Sequence, residues 1–339
     1  MNPISDIQEF IVGLGDLFFG NKRSQDTIET TMELPPIIKK KPMKYIYRPI
    51  NIREYIGQAR AKERIELNLQ KIINGKPVNF LLSGSAGCGK TTLAYIIGHH
   101  TGFKVHYYIG QSFTRKDLGQ FLIDNEREDG EMRNILFIDE LHGLDTELAE
   151  ELYPILEDMK VRDRDITPFI FIGATTKKSI LIQNLKPFVD RCAEGDITLE
   201  DYTAEDIEQI IRQFKSQIYP NVEVSDEVYN LIGRNCRFTP RIAIALFNDY
   251  AICKDMKRVL RAYRIVKDSL TDIDIKILKH LIDINKPIAK ETLSIIGGMT
   301  AEEYSNIVEP FLISQGYLAR TSRGRLATTQ ARELLESVK

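Results

Sequence analysis

The most chemically specific stretch of this chain is Gly84-Ser-Ala-Gly-Cys-Gly-Lys-Thr91. Its spacing, G-x-x-x-x-G-K-T, lets consecutive backbone N–H groups curl around a phosphate chain, and a helix starting there adds unpaired amides and its positive dipole end. Gly84, Gly87, Cys88 and Gly89 would form the cradle, with Thr92 counted among the nucleotide contacts. Lys90 would reach the β/γ-phosphates and Thr91 would hold Mg²⁺. Downstream, the apolar run Asn134-Ile-Leu-Phe-Ile ends in Asp139 and Glu140, a Walker B pattern. Asp139 would support the Mg²⁺ shell, and Glu140 would orient and polarise the attacking water. A third apolar run, Pro168-Phe-Ile-Phe-Ile-Gly-Ala-Thr-Thr176, ends in two hydroxyls that suit either a γ-phosphate sensor or the cap of the next helix. His142, just beyond the acidic pair, reads as a packing residue.

These groups meet only if strands deliver them. Asn79-Phe-Leu-Leu-Ser83 reads as a strand, and Thr92-Leu-Ala-Tyr-Ile-Ile97 has helical spacing, so the glycine loop sits between strand and helix as a phosphate site requires. With the other two runs as neighbouring parallel strands, the acidic pair and the hydroxyls arrive at the carboxyl ends beside the loop. At 339 residues the chain calls for more than one domain. Lys+Arg 46 against Asp+Glu 48 exclude a global basic field, so any polyanion contact must be a local patch. No apolar run approaches the roughly 18 residues that span a bilayer. Cys88, Cys192, Cys236 and Cys253 form no C-x-x-C pair, and the five histidines show no metal spacing. The chain therefore reads as reduced and cytoplasmic, without zinc. Cys88 is either a small space-filler or a thiol activated by the helix amides.

Residues 1–44 read as a loosely ordered extension or a docking peptide. They carry an apolar stretch at 10–19 with no basic region before it, then Pro35-Pro36 and Lys39-Lys40-Lys41. Residues 45–200 would form the α/β domain. Over 201–266 the pattern turns helical: Thr203-x-x-Asp206 resembles a capping box, and Ile207, Ile210, Ile211 and Phe214 mark one face, as expected of a small helical lid. Over 267–339, three amphipathic stretches precede Tyr317-Leu-Ala-Arg-Thr-Ser-Arg-Gly-Arg-Leu326, which alternates around a glycine turn: a winged helix. Arg320, Arg323 and Arg325 supply the local basic patch, suited to phosphates of duplex DNA rather than to base edges.

From about residue 47 to the end, the chain resembles the RuvB family of AAA+ motors. The resemblance rests on Tyr47-Arg48-Pro49, Glu54-Tyr-Ile-Gly-Gln58, Phe137-Ile-Asp-Glu-Leu-His142, Ile172-Gly-Ala-Thr-Thr176, Asp190-Arg191, Thr239-Pro-Arg-Ile-Ala243, Val308-Glu-Pro-Phe-Leu312 and Gly316-Tyr-Leu-Ala-Arg-Thr-Ser-Arg-Gly-Arg325. It implies a P-loop AAA+ ATPase domain with lid and winged helix, assembled as a hexameric ring that binds duplex or branched DNA and migrates Holliday junctions at the expense of ATP. It further implies that Thr176, with Thr175 beside it, is sensor 1. Arg191 would be an arginine finger acting on a neighbouring subunit, and Arg241 the sensor 2 of its own. Tyr47, Arg48 and Ile56 would line the adenine pocket, closed from the lid by Tyr202 and Pro240.

Two departures bear on partners. The hairpin that docks RuvA in the family is reduced here to Val161-Arg-Asp-Arg-Asp-Ile-Thr-Pro168, so that docking does not carry over. In Phe188-Val-Asp-Arg-Cys192, Val189 and Cys192 stand where the family has an arginine and an aromatic, and Asp-Arg-Cys also resembles a clamp-loader motif. Two other readings follow: an ATP-controlled loader or initiator that delivers a partner protein to DNA, and a winged-helix regulator whose ATPase governs assembly.

Overall fold

The computed structural model describes residues 47–161 and 164–337; the expectation for residues 1–44 lies outside them. Five parallel strands form the central sheet: β1 (Asn79–Ser83), β2 (Lys104–Ile109), β3 (Asn134–Asp139), β6 (Ile170–Thr175) and β7 (Gly195–Thr198). Between β3 and β6 lie the two-residue strands β4 (Lys160–Val161) and β5 (Arg164–Asp165), an antiparallel pair. That is what this chain has in place of a long hairpin.

The sheet order is β2-β3-β6-β1-β7. After β1 the chain crosses to the far edge, works back through β3 to β6, and ends with β7 on the other side of β1. β1 is thus the switch point, and its carboxyl end is where such sheets bind ligands. Its neighbours deliver Ser83 opposite both Thr175 and Thr198. Both faces of the sheet are covered, and alternate residues feed two cores. Phe80, Leu82, Ile135, Phe137, Ile170 and Ile172 pack with the helices Ala59–Ile73 and Lys90–Thr101. Leu81, Leu136, Ile138, Phe169 and Phe171 pack with Arg115–Asn125 and Thr146–Asp158. Burial on both faces explains why these strands read as continuous apolar runs.

The next segment is all helical: Ala204–Ile218, Asp226–Arg234, Pro240–Cys253 and Met256–Ala262. The Thr203–Asp206 capping box forms, and Ile207, Ile210, Ile211 and Phe214 are buried in its core. A short hairpin, β8 (Ile265–Lys267) with β9 (Leu270–Thr271), leads to the last unit. There the helices Asp272–Ile284, Lys290–Gly297 and a third running through 301–314 precede β10 (Leu318–Thr321) and β11 (Gly324–Ala327). A bridge from Ile288 to Arg325 adds a third strand position to the wing. The third helix widens into a π turn over Tyr304–Val308. Pro310 lacks the N–H that would bond Asn306, and its ring would meet that carbonyl, so a wider turn relieves the clash. A closing helix, Thr329–Ser337, was not expected from the sequence; its apolar residues are few, with Ala331 and Leu335 buried.

Candidate functional site

The glycine loop is braced from several sides, and its three motif glycines all have positive φ. A Cβ on Gly84 would come within 2.8 Å of the Leu199 carbonyl oxygen, and one on Gly87 within 2.6 Å of Thr239 Cγ2. A Cβ on Gly89 would collide with the Tyr55 hydroxyl. The backbone can curl only because nothing projects from it there. Tyr55 donates to the Cys88 carbonyl at 3.2 Å, and Ser85 hydrogen-bonds Asp201. The loop is therefore tied to the chain that enters the helical lid, and through Thr239 to the start of the lid helix carrying Pro240 and Arg241.

Lys90 is buried and folds back over the loop, donating to the carbonyls of Gly84 at 2.9 Å and Ser85 at 2.8 Å. Those bonds hold the ammonium among the loop's own oxygens, within the cradle where a phosphate would sit. Thr91 is the second residue of the helix, half-buried like Thr92 beside it, and donates to Asp139 Oδ2 at 2.9 Å. A hydroxyl and a carboxylate side by side are hard oxygen donors of the type that suits Mg²⁺.

Glu140 follows β3 in the left-handed region, φ 49, and so turns its side chain away from the strand direction. Thr176 donates to Glu140 Oε2 at 3.0 Å. His142 Nδ1 stands 3.3 Å from the same oxygen and 3.2 Å from Thr175 Oγ1. Burial pushes the imidazole below its usual pKa, with Glu140 opposing and Lys177 reinforcing that shift. The reading of His142 as a packing residue is therefore corrected: its ring joins the polar cluster, while its neighbours Leu141 and Leu144 do the packing. The sequence signal that could have found it is its place one turn beyond the acidic pair. The paired hydroxyls divide their work. Thr175 is fully buried and accepts from the Lys177 N–H, whereas Thr176 faces Glu140.

Cys88 is 3% exposed, and burial pushes its thiol up despite the nearby Lys90. The activated-thiol alternative is overturned: desolvation outweighs the loop's positive field, and Cys88 fills space.

Of the five residues expected around the base, three share the lid core: Tyr202 is buried in it, and Tyr47 and Ile56 pack against it. Tyr47 packs edge-on against Phe214, with ring centroids 5.3 Å apart, and Ile56 joins the same lid core. Arg48 lies over the Tyr95 ring at 4.4 Å. Tyr202 is buried with its hydroxyl beside Tyr55 and Gly89, and burial pushes that hydroxyl to about 12. Pro240 is half-buried at the first turn of its helix. Arg241 is exposed, without a hydrogen bond or ion pair among the described residues. Arg191 does not face this site. It pairs with Glu157, donates to the Pro187 carbonyl at 2.8 Å and lies over the Tyr153 ring at 5.2 Å.

On the wing the three arginines split. Arg325 clasps the fully buried Glu309 through Nε at 2.8 Å and a terminal nitrogen at 3.1 Å. Arg320 also donates to Glu309, at 3.0 Å, but its side chain is 61% exposed. Arg323 is exposed at the turn without a side-chain partner among the described residues. An ion pair that sequence reasoning missed joins lid to winged helix: Arg237 binds Asp274 at 2.5 Å and lies over Phe311 at 4.5 Å.

Two family profiles match the chain. The one described as Holliday junction DNA helicase RuvB P-loop domain covers residues 47–194, and the RuvB C-terminal winged helix domain covers 267–336. Among curated proteins, the Holliday junction branch migration complex subunit RuvB of Thermotoga petrophila is 33% identical over 315 residues, 84% of this chain and 90% of that protein. The same subunit of Fervidobacterium nodosum is 31% identical over 319 residues, 86% of this chain and 89% of the relative. Among solved structures, the Thermotoga maritima RuvB Holliday junction branch migration motor superimposes with a TM-score of 0.72 at 31% identity, covering 85% of this chain and 98% of the other. An Aeropyrum pernix ORC2 protein shares the fold alone, with a TM-score of 0.54 at 15% identity.

Proposed function

The chain belongs to the RuvB family, and from that premise we propose that it is a Mg²⁺-dependent ATP hydrolase that drives branch migration of Holliday junctions by moving duplex DNA through a homo-hexameric ring. The observation that carries the proposal is the convergence of Lys90, the Thr91–Asp139 pair and the Glu140–Thr176 pair at the carboxyl ends of β1, β3 and β6. Residues 45–200 act as the ATPase domain, 201–266 as the lid and 267–339 as the DNA-binding winged helix.

In this reading, phosphates compete Lys90 away from the Gly84 and Ser85 carbonyls. Mg²⁺, held by Thr91 and Asp139, would neutralise charge on the β- and γ-phosphate oxygens. Glu140 aligns the attacking water, and Thr176 exchanges its bond to Glu140 for one to the γ-phosphate. Arg241, unpaired among the described residues, reaches the same phosphate from the lid, whose Thr239 already abuts Gly87. Tyr47, Arg48, Ile56, Tyr202 and Pro240 remain the residues proposed around the base. Lid movement passes to the winged helix through the Arg237–Asp274 pair. Arg320 and Arg323 contact DNA phosphates, while Arg325 shapes the wing through Glu309. The short β4–β5 hairpin supports working without a RuvA-type dock at that position.

The test is ATP-dependent dissociation of a synthetic four-way junction by the purified protein alone, beside a linear duplex and a Lys90→Ala control. Junction-selective dissociation that vanishes in the control is expected. DNA binding and ATP hydrolysis with no branch movement would instead favour the loader reading.

A further inference from the structure

We propose that Arg237 is the positioning residue of a coupling joint between lid and winged helix, through which duplex DNA on the wing and nucleotide on the glycine loop set each other's affinity. This deepens the ATP- and DNA-binding reading and rests on it.

Three segments meet at the joint. Arg237 and Phe238 of the lid both adopt left-handed backbone, φ 50 and 53, and Asp268 and Ser269 of the short hairpin do the same, φ 43 and 66. Residues other than glycine keep such angles only where their surroundings over-determine them. Here Ser269, 1% exposed, accepts from the Arg237 N–H and donates to the Arg234 carbonyl, both at 2.8 Å, while its own N–H bonds Asn235 Oδ1 at 3.1 Å. The third segment is the helix running through 301–314. Arg237 donates to the Ile307 carbonyl in its π turn at 3.2 Å, and the guanidinium lies over Phe311. Between those two positions stands Glu309, the carboxylate that takes Arg320 and Arg325 of the wing. In the other direction, the Arg237 carbonyl accepts from the Thr239 hydroxyl at 3.1 Å. Thr239 is the side chain that abuts Gly87, and Arg241 follows two residues later. A shift of Arg237 is therefore felt both at the phosphate cradle and at the wing.

The ion pair supplies two discrete arrangements. Asp274 is fully buried, and its Oδ2 takes three donors: Arg237 at 2.5 Å, and the N–H and hydroxyl of Thr271 at 2.7 Å each. Its Oδ1 is buried with no partner among the described residues. An orphaned carboxylate oxygen is costly, and a guanidinium readily serves both oxygens of a carboxylate at once. Moving the second terminal nitrogen of Arg237 from the Ile307 carbonyl to Asp274 Oδ1 would satisfy that oxygen and release the third helix. One arrangement ties lid to third helix and the other frees it. Each ligand need only favour one of them for coupling to arise, and linkage makes the factor equal in both directions.

The experiment uses the full chain, a fluorescent non-hydrolysable ATP analogue with Mg²⁺, and a labelled duplex, with the Kd of each measured in the absence and presence of saturating amounts of the other. For the unaltered chain the expected ratio of the two Kd values is about 5–150-fold, the usual range of such coupling, and the same for both ligands. Arg237→Lys keeps a charge for Asp274 but has no second nitrogen to trade. Arg237→Met combined with Asp274→Asn removes both charges together, so that neither is left buried alone. Both variants should still bind each ligand by itself, with the ratio fallen to near 1. A joint that only holds the fold would lower the melting midpoint and leave the ratio untouched. The inference is overturned if either variant keeps the ratio of the unaltered chain, or if the unaltered chain binds the two ligands independently. Failure of the unaltered chain to bind one of them at all would overturn the functional reading instead.

Discussion

Glu309 illustrates how far a residue's role can lie from its type. Its carboxylate is fully buried in the winged helix, where burial works to raise its pKa. Hydrogen bonds from Arg325 and then Arg320 outweigh that effect and hold the carboxyl below the usual range. A lowered native pKa means that Glu309 stabilises the fold above its unfolded value of about 4.3, and that this stability is lost as pH falls through the native value. Glu309→Gln leaves Arg325 largely buried and unmatched, so it should destabilise the winged helix by roughly 3–5 kcal/mol at neutral pH. It should also flatten the acid limb of stability against pH. Hydrogen exchange on the amides of the third helix, across a pH series, measures both effects. From sequence, Glu309 was one letter in a motif, and nothing in its spacing from Arg320 and Arg325 shows that the third helix and the wing meet over it.

At the scale of elements, the wing hairpin separates structural from exposed cations by strand geometry. β10 and β11 pair antiparallel with Arg320 opposite Arg325, so both point toward Glu309 on one face. Arg323 sits in the turn, outside that pairing. As a proposed phosphate contact, Arg323→Ala should reduce the slope of log Kd against log salt by about 0.9, the value for one released contact on duplex DNA, without changing the thermal midpoint. Arg325→Ala should instead lower that midpoint. Titrations of a labelled duplex at several salt concentrations, beside melting curves, distinguish the two. Elements with strong patterns were legible: β1, β3 and β6 are apolar because helices cover both their faces, and the Thr203 capping box marks a helix start by its own chemistry. β2 and β7 were not. β2 is the exposed edge, and β7 is only four residues with two polar side chains, so neither carries a strong apolar signal.

For the whole molecule, the proposed ring is tested at Arg191. Arg191 is pinned within its own subunit by Glu157, the Pro187 carbonyl and the Tyr153 ring, and it lies against helix Thr146–Asp158 rather than the glycine loop. If it acts across an interface, as proposed, Arg191→Ala should keep ATP binding and lose turnover, while mixing it with Lys90→Ala should restore part of that turnover. Steady-state ATPase of the mixture against each variant alone is the measurement, and no recovery would remove the trans assignment. A guanidinium supplied from a neighbour is worth about 10³–10⁵ in rate in phosphoryl transfer, so even sparse mixed interfaces should be detectable.

Sequence alone determined the phosphate loop, the acidic pair, the order of α/β, helical and winged-helix segments, and the family, because each depends on local periodicity or on residues spaced along one strand-loop-helix unit. Tertiary structure decided the rest. That Thr176 bonds Glu140, that His142 bonds Thr175, that Thr239 abuts Gly87, that Arg237 binds Asp274, and that Arg325 serves Glu309 are all contacts between distant segments. Their distances follow from how sheet order and helix packing bring chain ends together, and a linear spacing carries no record of that.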